Sequence, residues 1–174
     1  MKILDATCGQ KSMWFVKNHP LVTFLDKREG KYMHWDKKNA SRRTAIIKPD
    51  IVADWTKKVP FDDNYFDMIL FDPPHAIRNK VCDIHNDMYF GILKKDTWKQ
   101  DLKKGIKELF RVLKPEGVFV FKWGDSSKSI NEIIKLFPYP PLFGNKTSKA
   151  STYDKGTHWI IFIKYRLEQE LKIN

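Results

Sequence analysis

Short apolar runs alternate with polar and amphipathic segments along the chain. The runs predict strands over residues 1–5, 21–26, 50–54, 66–71, 118–122, 142–143 and 158–164. The run at 118–122 alternates Val and Phe without a polar break before Lys122, which is typical of a strand buried in a parallel sheet. Strands separated by helical segments favour an α/β fold.

Helical spacing of apolar residues identifies the connections between these strands. The clearest helix is predicted over residues 97–113, where large apolar residues recur with a helical period and face the core. Thr97 and Gln100 are predicted to form its capping box. Shorter helices are predicted over residues 10–19, ending at Pro20, and over residues 129–136.

Length and composition indicate one globular domain over residues 1–174, with 42% hydrophobic and 14% aromatic residues. No apolar run approaches the roughly 20 residues of a membrane span, and the strand-like start does not resemble a signal peptide. The two cysteines, Cys8 and Cys82, match no zinc spacing. We therefore expect a reduced, cytoplasmic protein without a structural metal.

The net charge of +11 is concentrated in one segment. Residues 27–48 contain eight basic side chains and only two acidic ones, with Tyr32, His34 and Trp35 among them. Basic charge combined with aromatic rings suits a phosphate backbone and unpaired bases. We therefore expect nucleic acid, DNA or RNA, as the partner, with Arg42 and Arg43 among its contacts.

The most informative motif is Asp72-Pro73-Pro74-His75, directly after the predicted strand at 66–71. A carboxylate and a proline carbonyl at the end of a buried strand can hold an exocyclic amino group so that its lone pair faces a methyl donor. Two prolines fix the direction of the carbonyl and remove competing N–H donors. The ring of His75 could stack on the target base, accept a proton or donate to a phosphate.

The segment Asp5-Ala6-Thr7-Cys8-Gly9 reads as a strand that runs into a glycine-containing turn. Such a turn allows close backbone approach to a cofactor, and Asp5 could accept from the ammonium group of S-adenosylmethionine (SAM). Asp26, about 20 residues beyond, is expected to bind ribose hydroxyls. Asp54 and Trp55 are expected to bind adenine through its amino group and its ring face.

Further substrate contacts are expected at the edge of the sheet where the parallel strands end. Lys122 lies at the end of one strand, and an antiparallel last strand would begin on this side with His158. The loop before it contains Lys146, and residues 76–96 resemble a lid that includes Arg78.

Several ordered blocks of the chain resemble class I SAM-dependent methyltransferases of the amino-methylating, Asp-Pro-Pro-aromatic type. They are LDATCG (4–9), IKPDIVADW (47–55), FDMILFDPPH (66–75), LFRVLKPEGVFVFKW (109–123), PLFGNK (141–146) and THWIIFIK (157–164). More narrowly, the chain is similar to small phage- and prophage-encoded methyltransferases with a DPPH motif. The resemblance implies a Rossmann-like fold with a seven-stranded, mostly parallel sheet, an antiparallel last strand and helices on both faces.

The resemblance also implies roles for individual residues. Asp5, Cys8 and Gly9 match the first SAM motif, Asp26 the ribose acid, Asp54 the adenine contact, and residues 72–75 the catalytic motif. It includes no target-recognition domain, so reading a duplex sequence would need a homodimer or a partner chain.

Three alternatives remain open at this point. The chain could methylate a small molecule or a protein amide, or it could bind nucleic acid without catalysis. An NAD oxidoreductase is least favoured, because the second and third glycines of the dinucleotide fingerprint are missing.

Overall fold

The computed structural model of the chain describes residues 1–36, 39–81, 89–146 and 156–166. The strands are β1 (Ile3–Asp5), β2 (Val22–Asp26), β3 (Gly30–Asp36), β4 (Ser41–Ile47), β5 (Ile51–Val52), β6 (Phe66–Phe71), β7 (Ile77–Arg78), β8 (Leu93–Lys94), β9 (Leu113–Gly124), β10 (Phe143–Lys146) and β11 (Thr157–Ile163). The helices are α1 (Trp98–Val112) and α2 (Ile130–Ile133), and a 3-10 turn, Ile134–Leu136, follows α2.

Seven strands form the main sheet, in the order β10-β11-β9-β6-β1-β2-β5. The pairs β1–β2, β1–β6, β2–β5 and β6–β9 are parallel, whereas β11 is antiparallel to both β9 and β10. The mostly parallel sheet with an antiparallel last strand is therefore confirmed. We call the edge where β1, β2, β6 and β9 end the carboxyl edge, and the opposite edge the amino edge.

The strand order changes direction between β1 and β6. The chain proceeds from β1 through β2 to β5 on one side, and from β6 to β9 on the other. Open α/β sheets bind ligands at such a switch point, outside the carboxyl ends of the strands. A ligand site is therefore expected at the connections that follow β1 and β6.

Aromatic side chains dominate the core between the sheet and α1. Phe110 of α1 stacks on Phe119 of β9 with ring centroids 4.8 Å apart, and Phe137 stacks on Phe162 of β11 at 4.0 Å. Gly105 of α1 lies against the ring of Trp55 so closely that a β-carbon there would overlap it. The helix can approach the sheet at this point only because residue 105 is a glycine.

The predicted helix over residues 10–19 is wrong. These residues form turns, and Lys11 has a φ of 56°, which does not fit a helix. Instead, Trp14 packs edge-on against Phe24 at 5.4 Å and covers a small cluster with Cys8 and Val22. Within the described residues, the α1 and 3-10 segments pack on one face of the sheet, while this turn-rich segment lies on the other.

The basic segment at residues 27–48 contains the antiparallel hairpin of β3 and β4. Ala45 and Ile47 face inward and are buried. The exposed positions of the hairpin are Lys31, Met33, Arg42, Arg43, Thr44 and Ile46. Because β3 follows β2 after three residues, the hairpin starts from the carboxyl edge.

The predicted capping box of α1 does not form. Thr97 is the N-cap residue, but its side chain makes no capping hydrogen bond. Its hydroxyl instead donates to the Asp101 carboxylate at 2.6 Å.

Candidate active site

Two adjoining cavities open at the carboxyl edge. The first, of about 260 Å³, is lined mainly by residues 6–10, 26–28 and 89–91, together with Trp55, Asp72 and Pro74. The second, of about 740 Å³, extends past Tyr32 and Asp54. Lys27, Arg28, Trp55 and Gly91 contribute to the walls of both cavities. Sequence-predicted cofactor and catalytic residues therefore come together around one concave region.

Asp5, at the end of β1, organises the turn rather than lining the cavity. Its carboxylate accepts from the Thr7 amide at 3.1 Å and from Trp14 Nε1 at 2.7 Å. Burial raises the pKa of Asp5 to about 6, although these two hydrogen bonds act in the opposite direction. Direct contact between Asp5 and a cofactor would require this arrangement to open.

The turn after β1 presents backbone to the first cavity. Gly9 has a φ of 49°, and a β-carbon built on it would meet no atom within 4 Å. Its amide donates to Asp26 Oδ2 at 3.0 Å, and the Cys8 amide donates to the Leu25 carbonyl at 2.9 Å. Burial raises the pKa of the Cys8 thiol, so Cys8 contributes as a small apolar group. Ala6, Thr7, Cys8 and Gly9 thus form an open backbone cradle, which suits the close approach of a ligand.

Asp26 is more enclosed than a simple ribose acceptor would be. It is 4% exposed, and its carboxylate receives the Gly9 amide, the Arg28 amide and the Arg28 guanidinium. Arg28 also donates to the Tyr89 carbonyl at 3.1 Å. Asp26 therefore fastens the turn after β1, the start of the basic segment and residue 89 at one point of the cavity wall.

Asp54 and Trp55 differ from each other in accessibility. Asp54 lines the second cavity, and its Oδ1 accepts from the Thr56 amide and hydroxyl at 3.0 and 2.8 Å. Burial would raise the pKa of Asp54, but these hydrogen bonds and two nearby lysines lower it. The Trp55 ring is buried against Phe71 and Gly105, so it contributes to the core as well as to the cavity walls.

The Asp72-Pro73-Pro74-His75 motif follows β6, with both prolines buried. The Asp72 amide donates to Thr7 Oγ1 at 2.9 Å, which joins the motif to the turn after β1. Lys122 Nζ lies 2.7 Å from Asp72 Oδ2, and His75 Nε2 lies 3.0 Å from Oδ1. Burial alone would raise the pKa of Asp72, but the His75 hydrogen bond and the Lys122 charge outweigh it and lower the pKa. Asp72 is therefore an ionised carboxylate in the wall of the first cavity.

The ring of His75 is held on several sides. Besides Asp72, its Nε2 lies 3.3 Å from the Lys122 carbonyl oxygen, and its centroid is 5.0 Å from the Trp123 ring. A β-carbon at Gly124 would lie 2.9 Å from His75 Nδ1. Stacking of His75 on a substrate ring would therefore require the side chain to leave this position.

The sequence-predicted substrate residues fall into three groups. Arg42, Arg43 and Arg78 are exposed, the two first on β4 and the third on β7. His158 is buried, with its Nε2 2.7 Å from Asp125 Oδ2, which favours a structural role over substrate contact. Lys122 pairs with Asp72, whereas the side chain of Lys146 lies outside the described part of the chain.

Sequence reasoning missed Arg28, Tyr89, Phe90 and Gly91 as cavity residues. Arg28 was visible only as one member of the basic run, and residues 89–91 only as part of a lid-like segment. Gly91 lies against Pro74, with a hypothetical β-carbon 3.5 Å from its Cγ. The Arg28–Tyr89 contact joins positions 61 residues apart and the Gly91–Pro74 contact positions 17 apart, and no local pattern encodes them.

Comparison with known proteins supports this architecture. No protein-family model matches the chain, and no curated protein matches it. Among solved structures, the chain is similar to a SAM-dependent methyltransferase from Methanosarcina mazei, with a TM-score of 0.56 at 12% identity over 94% of this chain and 92% of that one. It is also similar to the 1,6-didemethyltoxoflavin N1-methyltransferase of Burkholderia thailandensis, with a TM-score of 0.55 at 12% identity over 94% and 71% of the two chains. The N-methyltransferase NodS of Bradyrhizobium japonicum gives 0.54 at 12% identity over 94% and 84%.

At this level of identity, the comparisons establish the fold: the chain has the Rossmann-like fold of SAM-dependent methyltransferases. Among the described residues, no group of three or more His, Cys, Asp or Glu side chains could hold a metal ion. No helix in the described ranges is long and apolar enough to span a membrane.

Proposed function

We propose that the chain is a SAM-dependent methyltransferase of the Asp-Pro-Pro-His type that methylates an exocyclic amino group of a base, adenine N6 or cytosine N4, in DNA or RNA. The observation that carries the proposal is the ionised Asp72 carboxylate. It lies in the wall of the first cavity, and the Asp72 amide donates a hydrogen bond to Thr7 in the turn after β1. A charged hydrogen-bond acceptor beside an open backbone cradle suits amino methylation, because it can orient the amino group toward a cofactor bound at the cradle.

The cavity residues fit SAM chemically. The backbone of residues 6–9 would approach its amino acid portion, Asp26 its ribose hydroxyls, and Asp54 with Trp55 its adenine ring. The cradle at Gly9 supports this fit, because no atom occupies the space that a side chain would fill. When bound, SAM would supply an electrophilic methyl group on a sulfonium.

The role of Asp72 and Pro73 is to orient the amino group that receives the methyl group. A base amino group is a weak nucleophile, because its lone pair is delocalised into the ring. Two acceptors, the Asp72 carboxylate and the Pro73 carbonyl, can hold both amino protons on one side and leave the lone pair facing the cavity. No backbone N–H of the described residues donates a hydrogen bond to the Pro73 carbonyl. The Asp72–His75 pair can then take up the proton that the nitrogen loses.

The basic hairpin supports a nucleic acid substrate. Arg42, Arg43 and Lys31 are exposed on it, and Lys27 and Arg28 at its base contribute to both cavities. Positive charge that continues from an exposed hairpin into an active-site rim can guide a phosphate backbone toward the reacting base. Bases in a duplex must be flipped out, so single strands or RNA are the simpler substrates.

A small-molecule acceptor is the second candidate. One structural neighbour is an N1-methyltransferase with 1,6-didemethyltoxoflavin and S-adenosylhomocysteine bound. The two candidates differ in salt dependence, because only polymer binding releases many counterions.

The decisive experiment is transfer of a labelled methyl group from SAM to duplex DNA, single-stranded DNA, RNA and free nucleosides. We expect label in one polymer, and nucleoside digestion would identify the methylated atom. Asp72→Ala should abolish transfer and leave SAM binding nearly intact, because the Asp72 side chain orients the acceptor rather than the cofactor.

Asp67→Ala is the matched control, since Asp67 also lies on β6 and pairs with a lysine of β9 but belongs to the amino edge. Equal transfer by wild type and Asp72→Ala would disprove the catalytic assignment. Label in free nucleosides only would favour the small-molecule candidate. No label anywhere, despite SAM binding, would indicate a missing partner chain or another substrate class.

A further inference from the structure

Trp159 of β11 lies on the same side of the sheet as the Asp72–Lys122 pair. Side chains alternate along β9, and Phe119 and Phe121 face the buried helical side. Lys122, next in the strand, therefore faces the opposite side. Trp159 is directly opposite Lys122 in the antiparallel register, so the two side chains share that face.

The Lys122 ammonium contacts two different groups on this face. Its Nζ is 2.7 Å from Asp72 Oδ2 and 5.7 Å from the centroid of the Trp159 ring. A nitrogen thus lies between a catalytic carboxylate and a half-buried aromatic ring. A methyl acceptor with an amino group on a flat ring needs the same two partners. The Asp72 carboxylate would hold its amino group, and the Trp159 ring would stack on its ring.

The other described aromatic side chains near Asp72 have different surroundings. His75 is held by Asp72, the Lys122 carbonyl and the Trp123 ring. Tyr89 and Phe90 line the first cavity, together with the turn after β1. Among the aromatic side chains that the structure describes, Trp159 is opposite Lys122, the partner of Asp72, and lies outside the lining of the first cavity.

We infer that Trp159 is the platform on which the acceptor ring stacks, and that the Lys122 ammonium marks the place where the amino nitrogen of the acceptor is held. The inference rests on the proposed function and specifies its substrate class as an amino-substituted heteroaromatic base. The Lys122 nitrogen is 5.7 Å from the Trp159 centroid, a distance that an exocyclic nitrogen can have when its own ring is offset-stacked on the indole. Lys122 leaves Asp72 when the acceptor binds, because both compete for the same carboxylate oxygen.

The test uses a single-stranded DNA oligonucleotide that contains one 2-aminopurine. This base carries an exocyclic amino group, and stacking quenches its fluorescence. We expect quenching by the wild-type protein without SAM. Trp159→Leu should bind about tenfold more weakly or worse and lose the quenching, because stacking of a base on an aromatic ring is a major part of such binding. Trp159→Phe should retain most of the quenching.

Trp98→Leu is the matched control, since Lys128 Nζ lies 5.2 Å from the Trp98 ring in a similar pair outside both cavity linings. It should behave as wild type. Lys122→Met removes the ammonium from the place where the amino nitrogen of the base is expected, and this variant should retain quenching at saturation. It tests the inference independently of whether Trp159→Leu folds.

Equal quenching by wild type and folded Trp159→Leu would overturn the inference, as would loss of quenching in Lys122→Met. Methyl transfer by wild type and by Trp159→Leu, measured in parallel, separates the stacking platform from the proposed function. Transfer without dependence on Trp159 would contradict only the platform, whereas quenching that depends on Trp159 without any transfer would contradict only the proposed function.

Discussion

Two lysine–aspartate pairs join β6 to β9, one near each edge of the sheet. Lys122 and Asp72 meet at the carboxyl edge, and Lys114 and Asp67 meet at the amino edge, each with an N–O distance of 2.7 Å. Their surroundings differ. The side chains are 24% and 14% exposed in the first pair, and 41% and 34% exposed in the second.

The difference in exposure changes what each pair can do. At the amino edge, the hydrogen bond from Lys114 lowers the pKa of Asp67, but the pair remains hydrated, and exposed pairs of this kind contribute little to stability. At the carboxyl edge, burial opposes ionisation of Asp72, and His75 with Lys122 must overcome it to lower the pKa. An ionised carboxylate that is only 14% exposed beside a cavity is costly to the fold, and this cost favours a functional role.

The largest expected effect at the carboxyl edge concerns the cofactor. Asp26→Ala should weaken SAM binding by about 10- to 100-fold, because it removes a charged acceptor and releases the Gly9 amide and Arg28. Isothermal titration calorimetry would measure the dissociation constant. Asp67→Ala, at the amino edge, should bind SAM like wild type, and an unchanged constant in Asp26→Ala would remove the ribose role.

The opposite result is expected for Arg111 near the amino edge. Its guanidinium donates to Glu108, Asp63 and the Phe61 carbonyl, and so ties α1 to the segment before β6. Arg111→Met should lower the free energy of unfolding by about 2 kcal/mol, or the melting temperature by about 4–8 °C. SAM affinity of the folded protein should not change. A loss of affinity without a loss of stability would mean that the two edges are not functionally separate.

The two lysines allow the sharpest comparison. Lys122→Met removes the charge that helps to keep Asp72 ionised, so the pKa of Asp72 should rise. Because the ionised carboxylate is the stronger hydrogen-bond acceptor and can take up the released proton, the acid limb of methyl transfer should move to higher pH. Lys114→Met should leave the pH profile unchanged. Identical profiles for both variants would show that Lys122 does not control Asp72.

Sequence patterns predicted the strands of the main sheet well, because each buried strand carries a local apolar signal. Residues 66–71 were predicted with their observed bounds, and β9 proved longer than predicted, Leu113–Gly124 rather than 118–122. The helix over residues 10–19 failed because a tertiary contact, Trp14 to Asp5, and the positive φ of Lys11 override weak local propensity.

The candidate site was only partly predictable. The turn after β1, Asp26 and Asp72 follow strand ends, and parallel strands bring such ends together, so their convergence could be expected. The Lys122–Asp72 and Arg28–Tyr89 contacts could not, because they depend on side-chain geometry across 50 and 61 residues. The position of Trp159 beside Lys122 could not be predicted either, because it depends on the register between β11 and β9.

The smallest expected effect concerns the basic hairpin, which extends the carboxyl edge outward. Replacing Arg42 and Arg43 by Gln should reduce the slope of log affinity against log salt by about 1.4–1.8, if both contact phosphates of a single strand or a duplex. Fluorescence anisotropy with an oligonucleotide at several salt concentrations measures this slope. Lys103→Gln with Lys104→Gln, an exposed basic pair on α1, is the charge-matched control. An equal change in both double variants would indicate a general effect of net charge, and no change in the Arg42 and Arg43 variant would place the phosphate contacts elsewhere on the carboxyl edge.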